Sequence, residues 1–233
     1  MDGFATESLT GCLHLSWEAS GEALCQVLYE GGEKGPWFFA ESGRWEMALP
    51  SPRRFRVAAQ GLDGAVTLGP WVELPGDELT PPSVAITEIY ANPVGKEPAQ
   101  EYIELMNVSD LPVELEGYRL TDTLDATGDI LPSFLLEAGE RVVVVGSTWQ
   151  PGSDDPVPAG EESLMVLQNS LVNAGISNSG EPLYLFSPDG RLESRYLGWR
   201  LFTGNEGLSA ERSVPLACDV DGNWRLVAPT PGE

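Results

Sequence analysis

The chain has 233 residues, with 36 acidic and 13 basic side chains and a formal net charge of −23 at pH 7. Such a polyanion is repelled by phosphate backbones and by anionic lipid, which excludes nucleic-acid binding through a broad basic face. The single histidine, His14, rules out His-rich metal sites, and three cysteines cannot build a four-cysteine zinc site.

Short apolar alternations punctuated by Gly, Pro, Asn and Asp recur along the chain, and helical periodicity is scarce. The pattern predicts strands at 13–17, 24–29, 37–40, 45–49, 55–60 and 71–74, with turn signals at Gly31-Gly32, Ser42-Gly43, Ser51-Pro52 and Asp63-Gly64. The next segment, 75–82, has three prolines in eight residues and no core-forming alternation, so it reads as a stiff linker. Further strands are predicted at 83–90, 101–107, 118–122, 134–136, 141–146, 163–167, 182–186, 195–197, 209–213 and 224–227. The stretch 146–162 is a long irregular connection, of a kind that is functional or mobile.

The expected fold class is therefore all-β: two tandem immunoglobulin-like β-sandwich domains. Residues 1–75 form the first, 76–82 the linker and 83–233 the second. The longest wholly aliphatic run is 142–145, far short of the roughly 18 residues a membrane helix needs, so no membrane insertion is expected. Met1-Asp2-Gly3-Phe4 contains no basic stretch followed by an apolar one, so no signal peptide is visible in it. Cys12 and Cys25 pair only if their Cα atoms lie within about 7 Å, and Cys218 is distant in sequence.

Several motifs in the second part occur in one family's order. They are Ala85-Ile-Thr-Glu-Ile-Tyr-Ala-Asn-Pro93, Glu101-Tyr-Ile-Glu-Leu-Met-Asn-Val-Ser109 and Val113-Glu-Leu-Glu-Gly-Tyr-Arg-Leu-Thr-Asp122. Leu136-Glu-Ala-Gly-Glu-Arg-Val-Val-Val-Val145, Ile176-Ser-Asn-Ser-Gly-Glu-Pro-Leu-Tyr-Leu185, Gly207-Leu-Ser-Ala-Glu-Arg212 and Ala228-Pro-Thr-Pro-Gly232 follow. Together they resemble a lamin tail domain of bacterial type, with Tyr118 where that family usually has Trp. The resemblance implies an immunoglobulin-like sandwich that accompanies larger extracellular proteins. The chromatin-associated partners of nuclear members are not carried over, because this chain's charge opposes DNA. The first part resembles a fibronectin type III module through Leu13-His-Leu-Ser-Trp17 and Phe55-Arg-Val-Ala-Ala59 followed by Asp63-Gly64.

No nucleophile elbow, phosphate-binding Gly-Lys-Ser/Thr loop or His-Glu-x-x-His motif is present, so no catalytic residue is assigned. Glu101/Glu104 and Glu161/Glu162 are carboxylate pairs by sequence only, and such pairs act as acid and base only across a cleft. Calcium is the one cofactor the sequence suggests. Asp219, Asp221 and Asn223 alternate like the start of a calcium loop, although Trp224 and Thr230 stand where an EF-hand has its Gly and bidentate Glu. Asp122, Asp125 and Asp129 form a second acidic cluster. Candidate binding side chains are Trp37 and Phe39, on a strand with rings on both faces, and Trp149 and Trp199 near loops. Asn107-Val108-Ser109 is a glycosylation sequon.

These features point to a non-catalytic binding or spacer module of a bacterial surface-exposed or secreted protein. Its expected partner is a protein or surface polymer, with further domains in a longer parent chain. The alternative is a divalent-ion-dependent hydrolase of a glycan or phosphoester that uses loop carboxylates.

Overall fold

The structure is a computed structural model. It describes residues 4–9, 12–30, 34–48, 54–61, 63–73, 82–124, 128–150, 152, 155–158, 163–172, 174–216, 219 and 221–233, with backbone alone for 4–23 and 35–48. The chain divides into two compact units, Met1–Pro81 and Pro82–Glu233. Apart from Pro82, the proline-rich segment lies outside the described residues, and so do Cys218 and the side chain of Cys12. The described secondary structure is strand, with one short 3-10 helix in the second unit and no α-helix.

The first unit contains β1 (Phe4–Leu9), β2 (Cys12–Tyr29), β3 (Lys34–Ala48), β4 (Arg54–Gly61), β5 (Val66–Leu68) and β6 (Val72–Glu73). Four of its strands run in the order β1-β2-β4-β5, with β3 on β2 and β6 on β4. Two pairs of predicted strands merge into long ones here. The expected turn at Ser42-Gly43 is instead ladder inside β3, pairing with Glu18 and Trp17 of β2, next to a register shift between Glu18 and Ala23. A bulge absorbs the extra residues without ending the ladder. Cys25, Val27, Tyr29, Phe55, Val57 and Ala59 alternate along β2 and β4 and are buried. Cys25 is a free thiol, and burial pushes its ionisation up.

The second unit contains β7 (Val84–Tyr90), β8 (Tyr102–Asn107), β9 (Val113–Glu114), β10 (Arg119–Thr121), β11 (Asp129–Ile130), β12 (Leu135–Leu136), β13 (Arg141–Val145), β14 (Leu164–Val166), β15 (Pro182–Phe186), β16 (Leu192–Leu197), β17 (Ser209–Arg212) and β18 (Trp224–Val227). The strands form a six-stranded sheet β14-β13-β8-β7-β17-β18, a four-stranded sheet β11-β10-β15-β16 and the pair β12-β9. Period-two alternation decides which side chains meet. Ile103, Leu105, Val142 and Val144 from the large sheet pack with Leu120, Leu183, Leu185 and Tyr196 from the small one, all fully buried. Arg119 instead lies over the Phe186 ring on the other face. β16 is stitched to β7 where Ile86 N donates to Ser194 Oγ (2.9 Å) and Ser83 N to Glu193 Oε2 (2.7 Å).

The outer face of the large sheet is also covered. Tyr90, Tyr102, Val143 and Val145 form a second cluster, capped by Trp149 and Leu164. β14 runs parallel to β13, and parallel neighbours need a crossover connection rather than a hairpin. Asp155 pins that connection. It accepts hydrogen bonds from Tyr90 Oη (2.5 Å), Val94 N (2.8 Å) and Gly95 N (2.9 Å). Asp155→Ala is expected to leave these three donors unpaired, a loss of about 1–3 kcal/mol. The measurable result is faster limited proteolysis within 146–162, with the sandwich strands still protected. Unchanged cleavage would refute the pinning role.

Beside this cluster, Glu88 and Glu104 face each other across β7 and β8. Glu88 accepts hydrogen bonds from Ser209 Oγ (2.5 Å) and Thr230 N (3.0 Å). Glu104 accepts from Thr87 Oγ1 (2.5 Å) and Gly232 N (2.8 Å) and pairs with Arg141 at 3.1 Å. The segment after β18 is therefore fastened to the sheet by two buried carboxylates rather than by a further strand ladder.

Candidate interaction surface

Three loops meet beside the C-terminal end of β8. They are 106–110, the turn at 138–139 and 214–216, and they line a mainly apolar groove of about 440 Å³. Its first wall depends on Asn107. This side chain is fully buried, and Nδ2 donates to Leu111 O and Leu136 O, both at 2.8 Å. Its Oδ1 accepts from Ser109 N (2.9 Å) and Ser109 Oγ (2.8 Å). One amide thus replaces the missing backbone partners of a turn. The same geometry removes the sequon from consideration, because Nδ2 is enclosed and doubly bonded. Gly139 forms the adjoining floor with φ at 81°, and its N–H donates to Asn107 O at 3.0 Å.

The opposite wall is held by a second asparagine. Asn223 Oδ1 accepts from Val214 N (3.0 Å) and its Nδ2 donates to Val214 O (3.1 Å). Ser213 N donates to the Asn223 carbonyl at 2.8 Å. Asn223 closes the 3-10 helix Asp221–Asn223, so that short turn presents the wall. Val214 is 54% exposed and Leu216 56% exposed. The Asn223 bonds thus frame a segment whose aliphatic side chains stay exposed to solvent.

The residues read as a calcium loop form that frame instead. Asp219 is 1% exposed, and its Oδ1 accepts from Trp199 Nε1 (2.9 Å) and Trp224 Nε1 (2.7 Å). Its Oδ2 lies 3.6 Å from Arg195 Nε. Burial raises the Asp219 ionisation, against the pull of Arg212, the two indoles and Arg195. Burial also lowers Arg212 to about 10, and its guanidinium stacks 5.3 Å from the Trp224 ring. Asp221 pairs with Arg200, which also bonds the Asp221 and Trp224 carbonyls. Each of the three residues is committed to a partner within the chain. Among the described residues, no group of three or more His, Cys, Asp or Glu side chains is placed to hold a metal ion.

The other expected site residues divide in the same way. Trp199 packs on the main core with its N–H given to Asp219, and Trp149 caps the outer-face cluster, so both rings serve packing. Trp37 and Phe39 lie on β3, and their side chains fall outside the described residues, as do Asp125, Glu161 and Glu162. Asp129 accepts from Val172 N (2.6 Å) and Asn169 Nδ2. Glu101 is 2% exposed and accepts from Ile176 N at 2.7 Å. Burial pushes it up to about 8, helped by Glu97 and Glu181. Its carboxylate lies against Gly175, where an added Cβ would come within 2.8 Å of Oε2. Glu101 and Glu104, three positions apart in sequence, thus serve separate internal contacts.

The family model of the Lamin Tail Domain matches residues 79–199, more than half of the chain. No curated protein sequence matches it. Among solved structures, a DUF4876 family protein from Bacteroides thetaiotaomicron VPI-5482 is similar at 11% identity and a TM-score of 0.39, covering 89% of this chain and 92% of that one. The motif Glu101–Ser109 lies within the matched span and supplies both the buried Glu101 staple and the Asn107 turn lock. On the family match, with the all-β architecture behind it, the chain belongs to the lamin tail domain family.

Proposed function

We propose that the chain is a non-catalytic binding or spacer module of a bacterial surface-exposed or secreted protein, making contacts with a protein or a surface polymer. The carrying observation is the apolar groove, whose two loop walls are locked by Asn107 and Asn223. Exposed aliphatic side chains on pre-ordered loops lose little conformational entropy on contact, which suits recognition. The deeply buried carboxylates support the non-catalytic part of the reading, because Glu88, Glu101, Glu104 and Asp219 cannot reach a substrate. In the same proposal the first unit is a fibronectin type III-like sandwich that spaces or presents the second.

Photo-crosslinking tests the proposal. A benzophenone amino acid at position 216 is expected to give adducts with bacterial envelope proteins or polymers. The same group at Leu201, which is also exposed but outside the groove, is expected to give few. Equal adducts from both positions would sink the reading.

A further inference from the structure

We infer that the groove takes a polypeptide segment carrying both basic and aliphatic side chains, an inference that rests on the groove being the module's contact surface. Its walls supply the aliphatic half through Met106, Val108, Val214, Pro215 and Leu216. The rim supplies the charge. Asp110, Glu137 and Glu140 are exposed beside the lining segments. No lysine or arginine occurs in 105–111, 137–140 or 213–216.

The second unit has no spare arginine to offset that rim. Residues 82–233 contain 24 acidic and 8 basic side chains. Arg141, Arg191, Arg195, Arg200 and Arg225 pair with carboxylates. Arg119 and Arg212 lie over aromatic rings. All seven arginines are thus engaged by groups of the chain itself, while Asp110, Glu137 and Glu140 face water. Such a field draws in a cationic partner and speeds its encounter. Two rival occupants fit less well. A glycan stacks on aromatic faces, and the groove lining has none. A second copy would bring a net charge of −23 against the same rim.

The probes are short synthetic peptides of alternating Lys-Leu, Lys-Ser and Glu-Leu, titrated into the isotope-labelled full chain and followed by amide NMR shifts. The Lys-Leu peptide is expected to move the amides of 106–111, 138–139 and 214–216. It is expected to bind Leu216→Lys about tenfold more weakly, whereas Leu201→Lys, with the same charge change, keeps the wild-type affinity. If Glu-Leu moves these amides as strongly, the groove is a contact surface but the basic partner is wrong. If Lys-Ser binds as well as Lys-Leu, the contact is diffuse electrostatics and the inference fails. Movement of the same amides with protein concentration alone would assign the groove to a second copy. If no probe moves them, the groove reading falls together with the inference.

Discussion

Replacing Asp219 by alanine is expected to lower the calorimetric melting temperature of the second unit by roughly 10 °C, because breaking a buried ion pair costs about 3–5 kcal/mol. The substitution removes the acceptor of two indole N–H groups and the counter-charge between Arg195 and Arg212. Both arginines remain buried, so the loss is mainly the uncompensated charge left behind. Asp219→Asn keeps an oxygen for Trp199 and Trp224 and forfeits only the charge. It is expected to cost somewhat less than alanine, by the share of the two indole bonds. Equal losses for the two variants would mean that the indole bonds contribute nothing. A negligible loss for alanine would remove the anchoring role altogether. The groove gives a second readout, since Asp219 and Asn223 belong to the same short segment: the amides of 213–216 are expected to lose hydrogen-exchange protection in the alanine variant.

Stability is also expected to fall as the pH rises from about 5 to 8, the reverse of ordinary acid denaturation. Burial raises Glu101 to about 8 and Glu104 to about 7, and it raises Glu88 as well. Between its unfolded and folded values, Glu101 or Glu104 therefore holds more proton in the folded chain than in the unfolded one, and Glu88 shifts in the same direction. The associated stability is fully present below the unfolded value of about 4.5 and is lost as the pH climbs through the folded value. One such group contributes a slope of at most about 1.4 kcal/mol per pH unit within its window. Self-repulsion of the acidic chain acts in the same direction, so a single-site variant is needed to separate the two. Glu101→Gln retains an oxygen for Ile176 N and cannot ionise. Its melting temperature is expected to match wild type at pH 5 and to exceed it at pH 8. A wild-type melting temperature that is flat or rising across this range would contradict the upward shifts of the buried glutamates.

Much of the fold is legible in the order of residues. Alternation places Ile103 and Leu105, and Leu183 and Leu185, on one face, and all four lie in the core. The limits of that reading are physical. β9 and β11 have two residues each, too short for any period to register. β3 runs through the Ser42-Gly43 turn signal because its ladder with β2 outweighs the local preference. Alternating Asp, Asp and Asn is a pattern that a calcium loop and a hydrogen-bonded turn both use. Which one forms depends on Trp199, Arg195 and Arg200, some twenty residues away in sequence. Asn107 carries the signal of a sequon, and only its partners Leu111 and Leu136 make it a turn lock.

From the sequence alone follow the acidic surface, the strand periodicity and the family motifs. These depend on composition and on neighbours two residues apart, which a chain carries into any fold. The groove, the buried Asp219 cluster and the fastened segment at 228–233 were decided by tertiary structure. Each joins residues from segments tens of positions apart, and their burial, charge balance and remaining hydrogen-bonding capacity exist only once those segments have packed.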